Sequence, residues 1–141
     1  IPAVAIREFT WNVFAAHYIE MVKARAYGID FSDEERDGAI FTLHKTLSTI
    51  LKLLAPITPF ITEHLWKTLY SNESIHQQKQ VDLENIEEQT EITKAISEFN
   101  SKVWNEKKSQ NLSLKDSIKI DIPEILQPFK KDLKSMHNLL D

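Results

Sequence analysis

Side chains able to bind metal or move protons are plentiful, with five histidines and 21 acidic residues in 141, but their spacing assembles no site. His17 and Glu20 share a helical face in the order His-x-x-Glu. A di-metal carboxylate bundle needs paired elements in the opposite order, plus further carboxylates. Glu63-His64 lacks the second histidine of a zinc-protease helix. There is no cysteine, so thiolate ligands and a disulfide partner are both excluded. Gly28 and Gly38 are the only glycines, and neither opens a loop that could cradle phosphate. No serine sits in a nucleophile elbow. The reading is of a chain with no catalytic residue, no metal site and no cofactor of its own.

Binding chemistry is better represented. RNA loops are held by stacking bases on aromatic or guanidinium planes and by placing cations on phosphates. Lys23 and Arg25 lie near the end of a first helix, and Lys102, Lys107 and Lys108 lie along a later one. Each set has a plainer explanation, because cations at a helix C-terminus suit its dipole and are simply solvated. Trp11 and Trp104 could stack on bases, yet a tryptophan beside a leucine-rich stripe usually belongs to the core. Trp66 is expected in the core. Arg7 either faces RNA or pairs with a neighbouring acid. His17, His44 and His64 are expected to hydrogen-bond within the fold, and His76 and His137 to sit on exposed connections.

The net charge of −4 argues weakly against nucleic acid. The charge is uneven, however: Lys94, Lys102, Lys107, Lys108, Lys115 and Lys119 outnumber Glu98, Glu106 and Asp116 along one stretch. Screening limits the reach of distant charge to roughly 10 Å, so a local basic face can act within an acidic whole.

The elements that must carry these residues are helices. Apolar composition of 42% with two glycines favours helix over turn-rich sheet. Phe9, Val13, Phe14, Tyr18, Met21 and Val22 predict a helix over 3–27, capped by Gly28. Ser32 and Glu35 form a capping box for a second helix. Its stripe is Ile40, Leu43, Leu47, Ile50, Leu51 and Leu54. Pro56 stops that helix, Thr58 is the expected N-cap and Pro59 the first residue of a third helix over 59–70, with Ile61, Leu65, Trp66 and Leu69 inward.

Residues 71–89 read as a long surface connection, and a fourth helix follows over 91–108 with Ile92, Ile96, Phe99, Val103 and Trp104 on one face. Period-two alternation over 117–122 predicts a short strand, and a broken helix with Pro128 near its start ends the chain. The fold class is mainly all-α, an antiparallel helical bundle over 1–108 with a small strand and helix extension over 109–141. No apolar run reaches the ~18 residues of a membrane span and no signal peptide is visible, so a cytoplasmic protein is expected. The chain opens on Ile1, already close to a helical pattern, which reads as a piece of a longer polypeptide.

Three stretches resemble one family. "FTWNVFAAHYIEMVKARAY" (9–27), "TLSTILKLLAPITPFITEHLW" (46–66) and "NESIH" (72–76) are similar to the anticodon-binding helical domain of class I aminoacyl-tRNA synthetases, valyl-tRNA synthetases above all. "EFNSKVWNEKKSQNLSLKDSI" (98–118) resembles the next segment in archaeal-type members. Gln80 and Val81 stand where the family often has a Trp-Pro pair.

The resemblance implies a parent enzyme that uses ATP to attach valine to its tRNA. The nucleotide-binding signatures of that enzyme are absent from these residues. The implied role of this piece is to grip the anticodon stem and loop, with tRNA and the rest of the synthetase as partners and no membrane. The rival readings are the same domain of an isoleucyl or leucyl enzyme, and a helical protein-interaction module without RNA binding.

Overall fold

The computed structural model describes residues 2–79 and 90–140, and their regular structure is helical. The all-α reading holds. The predicted connection over 71–89 and the departure at Gln80 and Val81 lie partly or wholly outside the described residues.

The first rod runs through three windings: α1 (Pro2–Glu8), a π-helical stretch (Phe9–Ile19) and α2 (Glu20–Ala26). Glu8 and Glu20 at the seams keep right-handed helical dihedrals, so the rod does not break. Phe9, Phe14 and Tyr18 stack in succession, at 6.4 and 5.9 Å between ring centroids. Their steps of five and four residues suit the wider i→i+5 winding. Gly28 ends the rod as expected. At φ +70° it adopts the left-handed cap, and Gly28 and Ile29 donate to the Arg25 and Ala24 carbonyls at 2.9 Å each.

α3 (Asp33–Leu54) begins with the predicted capping box: Glu35 N–H donates to Ser32 Oγ, and Ser32 N–H to Glu35 Oε2. Ile50 and Leu51 are buried, Leu43, Leu47 and Leu54 half-buried, and Ile40 exposed. The chain then turns. Ile57 and Thr58 N–H both donate to the Leu54 carbonyl at 2.8 Å, and α4 (Pro59–Leu69) starts on Pro59. Thr58 occupies the cap position, but its hydroxyl donates back to the Leu54 carbonyl instead of capping α4.

The corner sets the rotation of α4 so that Thr62 and Trp66, four residues apart, face inward, and Ile61 and Leu69 stay exposed against expectation. Thr62 tolerates burial because its hydroxyl donates to the Thr58 and Pro59 carbonyls. Glu63 anchors the segment after α4. Its carboxylate pairs with Lys67 and accepts from Ser74 Oγ and Ile75 N–H, seating the 3-10 turn Ile75–Gln77. The hydrogen bond from Lys67, with those of Ile75 and Ser74, holds its pKa down at about 2.

α5 (Thr90–Ser109) comes next, then an irregular run, a 3-10 turn (Glu124–Phe129) containing Pro128, and α6 (Lys130–His137). The predicted strand over 117–122 is reduced to one parallel bridge between Ile118 and Leu139. Residue 118 finds only this short partner, so a ladder does not form. The main core joins Met21 and Val22 of α2 and Phe99 and Val103 of α5 to Ile118, Leu126, Leu133 and Leu139. A second cluster holds the corner: Leu51, Ala55, Trp66 and Ile75.

Candidate nucleic-acid interface

The inner stripe of α5 runs Ile92, Ile96, Phe99, Val103, and the next step of four lands on Lys107. The structure follows the stripe. Lys107 is 0% exposed, so it is removed from the expected phosphate-binding set. Its Nζ donates to the Leu114 and His137 carbonyls at 2.7 Å each. The His137 carbonyl lies at the end of α6, where acceptors lack helical partners and a cation suits the dipole. Burial pushes the Lys107 pKa down, with Asp116 opposing.

Behind it lies a buried polar chain. Asn100 is fully buried; it accepts from His137 Nε2 at 2.7 Å and donates to His17 Nδ1 at 3.0 Å, as the bonding pattern assigns the amide and rings. Both rings are neutral in this arrangement. Burial lowers the His17 pKa, and burial with the Lys107 charge lowers that of His137 to about 4. The sequence puts His137 on an exposed connection; α6 instead folds back and carries it into the core.

Trp104 is half-buried between these rings. His17 lies nearly parallel to it, 5.6 Å between centroids at 17°, and His137 meets it edge-on at 6.0 Å. The uncovered part of Trp104 lines an open groove of about 620 Å³. Asn105 and Lys108 of α5 and Asn111, Leu112, Ser113 and Leu114 of the following turn complete it. Asn111 holds φ 54° as the left-handed cap of α5. Its N–H donates to the Lys108 carbonyl and that of Leu112 to the Lys107 carbonyl. Lys108 is exposed and makes no ion pair among the described residues.

The cations of α2 divide in the same way. Arg25 pairs with the buried Asp132 of α6 through two hydrogen bonds, one of 2.9 Å from Nε and one from the terminal Nη2. Its guanidinium also lies 5.3 Å from the Phe31 ring centre. It is a docking residue for α6, which corrects its place among the RNA candidates. Lys23 is exposed but bridges Glu20 at 3.3 Å. Both line a second groove, about 400 Å³, with Tyr27, Ile29 and Met136.

The remaining candidates are scattered. Trp11 is 74% exposed on the π-helical stretch, not in the core where its neighbours suggested. Arg7 takes the acidic alternative and pairs with Glu8 at 2.7 Å. Lys102 is exposed on α5 but six residues from Lys108, about 120° round the helix from the groove. Only Trp104 and Lys108 are brought together. Sequence reasoning missed Asn105 and Asn111. The second left a signal, because asparagine follows glycine as a left-handed helix cap. Among the described residues no three or more His, Asp or Glu side chains converge on a metal position, and no helix is long and apolar enough to cross a membrane.

The chain is 39% identical to the valine–tRNA ligase of Pyrobaculum aerophilum over 99% of its own length and 18% of that protein. It is 37% identical to the Aeropyrum pernix valine–tRNA ligase over 96% of this chain and 18% of the relative. For the Nanoarchaeum equitans valine–tRNA ligase the values are 38%, 93% and 17%. This chain thus spans under a fifth of those relatives' length. No solved structure matches it. The profile of the anticodon-binding domain of tRNA ligase matches residues 2–122. With that match over most of its residues, the chain belongs to the family of anticodon-binding domains of tRNA ligases.

Proposed function

We propose that this chain is the anticodon stem-loop-binding domain of a cytoplasmic valine–tRNA ligase. The whole protein would use ATP, bound in a catalytic domain elsewhere, to esterify valine to its tRNA. The domain itself is non-catalytic. Its partners are a valine-accepting tRNA and the rest of the synthetase. Residues 1–108 form the gripping bundle, and 109–141 an extension that walls the α5 groove.

The observation that supports this most is the near-complete alignment of the chain to valine–tRNA ligases of three archaea. With Lys107 buried, the exposed cations of α5 are Lys94, Lys102 and Lys108, of which Lys94 pairs with Glu98 at 3.8 Å. Filter binding of a valine-accepting tRNA transcript at several salt concentrations tests the reading. Cations on phosphates release counterions, so affinity should fall as salt rises. Binding indifferent to salt, or none to any tRNA, overturns it.

A further inference from the structure

We propose that the groove at the C-terminal end of α5 seats a single unstacked nucleotide of a bound RNA loop, its base against Trp104 and its phosphate on Lys108. The proposal rests on the RNA-binding reading and adds a place to it.

Four observations carry it. The volume, about 620 Å³, is within the range of small-ligand sites. One wall is an aromatic ring that cannot swing freely, because His17 lies along it and His137 packs steeply against it, at 68° between ring planes. Single-stranded bases bind such fixed platforms regardless of sequence.

The opposite wall is equally fixed. Lys107 holds the Leu114 carbonyl, Ser113 N–H donates to Asp116 Oδ2 at 2.6 Å, and Asn138 Nδ2 donates to the Lys115 carbonyl. Lys107 is therefore a positioning residue for the groove and touches no ligand.

The lining also has the right polarity. No carboxylate lines the groove, whereas Glu20 lines the groove beside α2. A phosphate entering the α5 groove meets Lys108 and no carboxylate from its walls. Asn105 and Asn111 each offer a donor and an acceptor, the pair of functions that a base edge requires.

The test uses an RNA hairpin carrying 2-aminopurine at each loop position in turn, titrated with the chain. One position should be quenched several-fold on binding. Trp104→Leu should abolish that quench and weaken binding roughly tenfold, the size expected for one stacked base. Trp104→Phe should restore most of both.

Because Trp104 also packs on two histidines, Asn111→Gly serves as the second variant; glycine keeps the left-handed cap. It should leave the quench and erase preference among the four bases at that position. Salt-dependent binding with no quenched position, or a quench that survives in folded Trp104→Leu, overturns the pocket and leaves RNA binding standing. Absence of any RNA binding overturns both.

Discussion

The ends of α2 and α5 each carry two cations close together in sequence, and the structure uses them in parallel but unequal ways. At each end one cation turns inward to α6 and the other faces water. Arg25 reaches a carboxylate, Asp132, with a planar fork suited to bidentate pairing. Lys107 reaches two carbonyls with a compact ammonium and no carboxylate at hydrogen-bonding distance. The outward cations differ too. Lys23 is neutralised by Glu20, whereas Lys108 stands beside a groove without an acid. The α2 end is chiefly a clamp. The α5 end is a clamp that also shapes a surface.

The largest effect should come from Lys107→Ala. It removes the Lys107 donor from one buried and one partly buried carbonyl, and a cost of about 3–5 kcal/mol in urea unfolding is expected. A cost below about 1 kcal/mol would show the ammonium is not the tie described.

Asp132→Ala should cost less, about 2 kcal/mol, because Arg25 is 29% exposed and can turn toward water. Adding Arg25→Met should recover part of it. Strict additivity in that double-mutant cycle would deny the pair.

Acid should attack the α5 end through His137. Its pKa is depressed from 6.5 to about 4, so the unfolded chain takes up the proton first. Its contribution is complete above pH 6.5 and is lost as pH falls towards 4. Thermal midpoints across that window should drop in the native chain and flatten in His137→Gln. A histidine ring that titrates by NMR at its ordinary value would contradict the buried chain of bonds.

Smallest in stability are Lys23→Gln and Lys108→Gln, each within about 0.5 kcal/mol. They separate in RNA binding. Lys108→Gln should reduce the salt slope by about one, and Lys23→Gln by less. Equal slopes would mean that the two surfaces do not differ.

Much of the fold is legible in the residues alone. The proline corner, the capping box, the glycine cap and the helical rods come from local chemistry acting over a few residues. The inward-turned cations are legible as well, though only to a strict reading of period. Lys107 continues the step from Val103, and Arg25 continues the run Tyr18, Met21, Val22. Residue type suggests solvent, while position dictates the interior, and partners more than two dozen residues away make that burial tolerable.

His137 and Trp11 depart from expectation for a different reason. His137 is set by how the terminal segment folds back, and Trp11 by the wider π winding, neither of which leaves a local mark. The inward face of α4 depends on the angle of the corner. About one hundred degrees of rotation separates Ile61 from Thr62, and no pattern of types fixes that.

The bond from Arg25 to Asp132 spans 107 positions of chain. At synthesis rates of roughly 5–20 residues per second, the ribosome needs about 5–20 s to deliver the second partner after the first. Throughout that interval Met21 and Val22 have no Leu133 to cover them. Until α6 follows, that side of the nascent rod depends on partners such as Leu43, Phe99 and Val103 for cover, and any holdase that recognises such surfaces has its opportunity then.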